Sequence, residues 1–138
     1  MKIVICASMS AAEKIIQIKE ELENLGHEVV VPANMERHLA KTFNAHESTE
    51  EKIKDDLICK YFEEIKHADA VLALNYDKNG IKNYIGGNTF LELAFGHVLG
   101  KKLFLMNDIP EVSYRDEIIA MQPIILEGDL LKLLKYAK

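Results

Sequence analysis

Glu92 is a carboxylate set among apolar residues, in the stretch "IGGNTFLELAFG" (85–96) with Phe90, Leu91, Leu93, Ala94 and Phe95 around it. The next positions on its helical side are Phe95, Gly96 and Leu99. An apolar collar strips water from a carboxylate and raises its pKa, which suits a nucleophile or a general base. Gly86 and Gly87, just upstream, permit backbone geometry that side chains resist and let a ligand come close. Two plainer roles also fit Glu92. Thr89 lies three residues before it, the spacing of a capping box, in which the carboxylate reaches back to the Thr89 backbone N–H. The remaining option is a solvated helix face. Asn88 or Thr89 is then the cap of a helix expected over 88–100, with Glu92 in its first turn.

Ser8, Met9 and Ser10 form a second group, in "CASMSAA" (6–12), with small residues and two hydroxyls directly ahead of a helical pattern. Backbone N–H groups and the helix dipole at such a start favour an anion. The plainer reading makes both serines turn and cap residues, since Ser10 and Glu13 also have capping-box spacing. Asp69 opens a strand, where a local hydrogen bond is its simplest use. Asn107 and Asp108 end another strand. They either touch a ligand at that rim or only make the turn before Pro110.

These residues need elements to hold them. "KIVICA" (2–7) is a short β-branched apolar run, as expected of a strand buried on both faces. In the segment that follows, Ile15, Ile18, Leu22 and Leu25 fall at helical intervals, and Gly26 is the stop. "EVVVP" (28–32) is a second strand. Residues 33–47 are polar and read as a long connection with a short helix in it, either a functional lid or a surface segment. Ser48 and Glu51 open another helix, running to 68, with Ile53, Leu57, Ile58, Tyr61, Phe62 and Ile65 as its apolar stripe. "DAVLALN" (69–75), "KLFLMN" (102–107) and 123–126 complete five strands. A loop spans 76–87, a turn and short helix follow Asn107, and an α-helix ends the chain. Alternation of this kind predicts an α/β three-layer sandwich: a doubly wound, mostly parallel, Rossmann- or flavodoxin-like sheet of order 2-1-3-4-5. Its ligand crevice opens between the C-terminal ends of strands 1 and 3. The loops at 7–11 and 75–87 meet there.

Composition narrows the partners. The chain has 138 residues, one domain over 1–138, with a net charge of −5 and no Lys/Arg-rich run. Nucleic-acid polymers and anionic membranes are disfavoured, while a small anion can still bind local backbone donors. Two cysteines, Cys6 and Cys59, sit far apart in apolar stretches and read as buried thiols of a reducing compartment. The five histidines lack metal-site spacing, and His38 and His46 read as solvated. No metal or cofactor is expected. With no signal-peptide pattern and no run of about 18 apolar residues, a cytoplasmic protein is the default.

The pattern "ADAVLALN … GGNTFLELAFGHVLGKKLFLMN", together with the opening "VICASMS", resembles the nucleoside 2-deoxyribosyltransferase superfamily, which includes 2'-deoxynucleoside 5'-phosphate N-hydrolases. The likeness spans roughly residues 2–107, with the order of elements intact. It implies the doubly wound fold, a small nucleoside or nucleotide as partner, and a homo-oligomer, a dimer first, because family sites are often completed at subunit contacts. It makes Glu92 the nucleophile that attacks the anomeric carbon and holds the sugar covalently. It sets Ser8, Met9 and Ser10 at the 5'-phosphate, and Asp69, Gly86, Gly87 and Asn88 about the substrate. Two positions depart from the family. Tyr61 stands eight residues before Asp69, where an Asp is usual. Gly86 stands six residues before Glu92, where transferases carry another Asp. Tyr76, Asp77, Tyr84 and Asn88 are the available substitutes. Cleavage of an N-glycosidic bond, by hydrolysis ahead of transfer, is the expectation, and a nucleotide-binding or sensing domain on the same scaffold is the rival.

Overall fold

Runs such as Ile3–Cys6 and Ala70–Ala73 are apolar at every position because both faces of their sheet are covered. A computed structural model describes residues 1–32 and 56–137. The connection at 33–47, the Ser48–Glu51 capping box, His38 and His46 lie outside the described residues. The strands are β1 (Lys2–Cys6), β2 (Glu28–Val30), β3 (Ala70–Ala73), β4 (Lys102–Leu105) and β5 (Ile124–Ile125). They form a five-stranded sheet of order β2-β1-β3-β4-β5 in which every pairing is parallel. This is the expected α/β order. Register is set by pairs such as Ile3↔Ala70 and Cys6↔Ala73, then Ala73↔Leu105.

Helices join the strands: α1 (Ala12–Asn24), α2 (Leu57–Lys66), α3 (Gly87–Val98) and α4 (Arg115–Ala120), with 3-10 segments at Met9–Ala11 and Leu130–Tyr136. Successive strand residues point to opposite faces, and the core divides accordingly. Ile3, Ile5, Leu72, Leu74, Phe104 and Met106 pack with Ile15 and Leu22 of α1 and with Leu130 and Leu133 of the C-terminal segment. Val4, Cys6, Val71, Ala73, Leu103 and Leu105 pack with Ile65 of α2, Leu93 of α3 and Ile118 of α4. The C-terminal segment is 3-10 and not the α-helix expected. Its inward residues Leu130, Leu133 and Tyr136 recur every three positions, the period of a 3-10 turn.

Two glycines matter to this packing. Gly100 takes φ +72° just past α3 and lets the Lys101 N–H reach back to the Gly96 carbonyl at 2.8 Å, ending the helix. Gly96 brings α3 close to the sheet, because a Cβ there would stand 2.8 Å from both Leu103 Cδ2 and Val71 Cγ2. That close approach presses the helix carrying Glu92 against β3 and β4.

Candidate functional site

The strand order reverses between β1 and β3, and a cavity of about 150 Å³ opens at their C-terminal ends. Ser8, Ser10, Ala11 and Lys14 line it from the β1 side. Leu74, Tyr76, Asp77, Lys78, Tyr84, Gly86 and Thr89 line it from the β3 side.

Both helices that start at this cavity lack side-chain caps. The N-cap of α1 is Ala11 and that of α3 is Gly86, and neither makes a side-chain capping bond. The Ala11 and Ala12 N–H groups are taken by the Ser8 and Met9 carbonyls of the preceding 3-10 turn, so α1 favours negative charge in the cavity through its dipole, and α3 through its dipole and its first N–H groups. This corrects three sequence expectations. Ser10 does not cap α1. Instead Ser8 caps the short 3-10 turn before it, accepting from the Ser10 N–H at 3.4 Å. Neither Asn88 nor Thr89 caps α3. Glu92 is the sixth residue of α3, so the Thr89–Glu92 capping box does not form and Glu92 lies in the second turn.

Two lysines complete the cavity's polarity. Lys78 donates to Ser8 Oγ at 2.6 Å, and the Ser8 and Ser10 hydroxyls are 2.9 Å apart. A hydroxyl has one hydrogen and two lone pairs. Ser8 accepts from Lys78 and from the Ser10 N–H, so it gives its own hydrogen to Ser10 Oγ. The Ser10 O–H can then turn to an incoming acceptor. Lys14 lies 4.6 Å from the centre of the Tyr76 ring, a cation–π contact that keeps its ammonium at the same wall.

Lys78 is aimed by a small hairpin. Lys78 and Ile81 exchange backbone bonds of 3.0 and 2.9 Å around Asn79 and Gly80, whose φ angles are 53° and 76°. That is the type I′ geometry an Asn-Gly pair favours. Asp77 accepts the Asn83 N–H at 2.9 Å, and the Tyr84 N–H bonds the Tyr76 carbonyl at 3.0 Å, closing the loop. Tyr114 donates to the Ile85 carbonyl, tying the loop to the residues ahead of α4. Gly86 has an extended backbone, and a Cβ there would meet the Tyr84 ring at 3.2 Å, so its value is close approach and not a left-handed turn. Gly87 has open space around its Cβ direction and Asn88 is exposed, and neither lines the cavity. Met9 packs on the α1 face of the core, leaving only its backbone near the loop.

Glu92 is half-buried and stands one helical turn beyond Thr89, on the same side of α3. It is not among the side chains lining the cavity. Its carboxylate accepts a hydrogen bond from the thiol of Cys6, the last residue of β1. Cys6 is completely buried, and burial, then the Glu92 charge, then that hydrogen bond push its thiol pKa well up. Tyr61 reaches over from α2 and donates its hydroxyl hydrogen to the Ile5 carbonyl. Burial raises the Tyr61 pKa most, followed by Cys6, Glu92 and Glu64. Tyr61, Cys6 and Glu92 thus form one group drawn from three elements.

Asp69 is elsewhere. It precedes β3, at the N-terminal edge of the sheet, and its carboxylate accepts the Lys2 N–H at 2.8 Å. The expected substrate contact is corrected to a strand fastener, because a residue opening a strand lies a strand's length from a crevice at the other end. Asn107 and Asp108 are at the correct rim but are engaged structurally. Buried Asn75 donates to both of their carbonyls at 2.9 Å, accepts the Asn107 N–H at 2.9 Å, and receives the Asn107 side chain on its own carbonyl at 3.0 Å. Asp108 accepts the Ile109 N–H at 2.8 Å, making the turn before Pro110.

Sequence reasoning missed Lys14, Lys78 and the contact of Cys6. Lys14 lies four residues after Ser10 and shares its helical side, and Asn79-Gly80 announces the hairpin that returns Lys78. Nothing local announced Cys6 against Glu92. Among the described residues, no cluster of three or more His, Cys, Asp or Glu side chains is arranged to hold a metal ion. Nor is any helix among them long and apolar enough to cross a membrane.

Two of the solved structures that match this arrangement are enzymes. The CMP N-glycosidase BcmB of Clostridium botulinum aligns over 99% of this chain and 98% of its own, with a TM-score of 0.56 and 22% identity. A 2-deoxyribosyltransferase from the psychrotolerant bacterium Bacillus psychrosaccharolyticus aligns over 76% of this chain and 71% of its own, with a TM-score of 0.50 and 24% identity. The chain shares its fold with these two enzymes. Both matches carry names of enzymes that act on N-glycosidic bonds, and at these identities the likeness is one of fold. No protein-family model matches the sequence, and no curated protein does.

Proposed function

We propose that this deoxyribosyltransferase-like protein cleaves the N-glycosidic bond of a (deoxy)nucleoside or its 5'-monophosphate, with Glu92 as nucleophile. The observation that carries the reading is the placement of Glu92. Its carboxylate stands against the end of β1, one turn along α3 from a cavity carrying two lysines, two serines and two uncapped helix starts. An α-helix tilts its side chains toward its N-terminus, so Glu92 leans toward the Thr89 wall and not away from it.

The chemistry follows that of retaining glycoside hydrolysis. The Glu92 carboxylate attacks the anomeric carbon as the carbon–nitrogen bond breaks, and that electron pair leaves with the base, which takes up a proton. A glycosyl ester remains on Glu92. Water then attacks the same carbon and gives up a proton to solvent, the ester C–O bond breaks, and the carboxylate is restored. Transfer differs only in that a second base takes the place of water. Hydrolysis is preferred, since Gly86 occupies the position at which transferases of this family carry a further Asp.

The 5' end of the substrate fits the Ser8–Ser10 turn, where the Ser10 hydroxyl, Lys14, Lys78 and the start of α1 converge. Such a set favours a phosphate over a neutral hydroxyl. Tyr76 and Tyr84 supply an apolar wall for sugar or base. A homodimer is part of the proposal and is read by size-exclusion chromatography with light scattering.

Binding without cleavage is the second reading. It is favoured by Tyr61, which stands where the family carries an Asp and whose hydroxyl hydrogen goes to the Ile5 carbonyl. One experiment separates the two. The protein is incubated with a panel of deoxynucleosides, ribonucleosides and their monophosphates, and free base is measured by chromatography. Base release that disappears in Glu92→Ala supports cleavage. Saturable binding of a monophosphate with no base released by the native protein removes it in favour of a sensor.

A further inference from the structure

Cys6 and Tyr61 have no part in the reaction as written, yet they surround the carboxylate that does. Cys6 ends β1 opposite Ala73 of β3, and even-numbered residues of β1 face the side of the sheet that carries α2 and α3. Its side chain has no solvent exposure, so the thiol is out of reach of oxidants and external nucleophilic chemistry. Tyr61 closes over it from α2 and is anchored to the carbonyl of the preceding residue, Ile5. Gly96 lets α3, which carries Glu92, lie directly against Val71 of β3 and Leu103 of β4, the strand β3 being the neighbour of β1.

We infer that the Cys6 thiol is a positioning residue for Glu92: it donates the hydrogen bond that sets the direction of the carboxylate, and Tyr61 holds the thiol in place. A thiol suits this task because it is a weak donor. It restricts the carboxylate's rotation without drawing off the electron density that a nucleophile needs. A stronger donor would orient the group equally well and leave it less basic. Tyr61 does not compete, since its one hydrogen goes to Ile5.

The effect on turnover rests on the glycosidic reading, whereas the contact itself does not, so two measurements are paired. The S–H stretch in the infrared is recorded in a Cys59→Ser background, which leaves Cys6 as the sole thiol. The expected band is that of a hydrogen-bonded thiol, moving toward higher frequency in Glu92→Gln, where a neutral amide replaces the carboxylate. A band that stays in place overturns the inference. Separately, kcat and KM are measured for Cys6→Ala and Cys6→Ser on the best substrate from the panel. Positioning predicts that Cys6→Ala lowers kcat about tenfold or more with KM little changed, and that Cys6→Ser, which still orients the carboxylate but leaves it less basic, recovers part of the loss. Simple packing predicts the reverse order, because a buried hydroxyl is tolerated less well than a methyl: Cys6→Ser is then the less stable variant and kcat of the folded protein is unchanged in both. That result overturns the inference even with a shifting band. If the native chain releases no base at all, only the glycosidic reading falls, and the infrared band alone decides whether Cys6 sets the direction of Glu92.

Discussion

The two ends of the parallel sheet use their polar groups differently. At the N-terminal edge, the Asp69 carboxylate takes the Lys2 N–H, and the His27 ring takes the chain's amino terminus at 3.1 Å. At the C-terminal edge, two helices begin without side-chain caps, Lys78 and Lys14 converge on one cavity, and a thiol and a phenol close around Glu92. The first edge resembles a seam, in which polar groups fasten neighbouring strands. The second concentrates positive potential from helix dipoles and ammonium groups beside a carboxylate that burial has partly stripped of water. Parallel strands make this asymmetry unavoidable, since every following helix starts at the same edge. Chemistry is therefore expected at that edge, and stability effects at the other.

The strongest way to break this contrast is through Glu92. Glu92→Gln keeps size and removes the charge, so base release should drop about a thousandfold or more, while thermal unfolding by circular dichroism stays near that of the native chain. Comparable activity in the variant would place the chemistry elsewhere. Lys78→Ala comes next. It should raise KM for a 5'-monophosphate about tenfold, the loss of one charge-assisted contact, and leave the matching nucleoside unaffected in parallel steady-state assays. Equal effects on both substrates would remove Lys78 from the phosphate end.

Asp69→Asn tests the opposite edge. Losing a charged acceptor for the Lys2 N–H should lower Tm by about 3 °C with kcat/KM unchanged for the folded protein. A loss of turnover without a loss of stability would put Asp69 back in the site. The smallest effect concerns pH. His27 is buried, its Nε2 has no hydrogen-bond partner among the described residues, and burial followed by the charge of the amino terminus lowers its pKa from the ordinary 6.5. The unfolded chain then takes up a proton at a higher pH than the folded one. Its contribution to stability is complete above that ordinary value and is lost as pH falls below it, until the folded-state pKa is passed. Urea midpoints measured between pH 7.5 and 5 should show this fall, and His27→Gln should flatten it.

Much of the frame was legible beforehand. Apolar runs of four or five residues alternating with helical periodicity announced the parallel sheet, and the rule for right-handed crossovers left few topologies, among them the doubly wound order found. Gly26 and Gly100 ended helices as expected, both at positive φ. Helix starts were less legible. Ser10 and Thr89 have capping-box spacing, yet tertiary packing drew the α3 start back to Gly86, and a 3-10 turn capped by Ser8 intervened before α1. The plain reading of Asp69, a strand opener with a local hydrogen bond, is the one the structure shows, and the substrate contact implied by the resemblance is not.

Periodicity in the chain determined which face of each element is apolar, hence the layers, the strand order and the edge at which a ligand would enter. It said nothing about which side chains meet there. Ser8 and Lys78 are separated by 70 positions, and Tyr61 and Ile5 by 56. Such pairings depend on how far α3 sinks onto the sheet at Gly96 and on where the Asn79-Gly80 hairpin folds back. A local pattern reports the face a residue shows to its neighbours in sequence, whereas the meeting of Cys6 with Glu92 arises only when two separately formed elements are packed together.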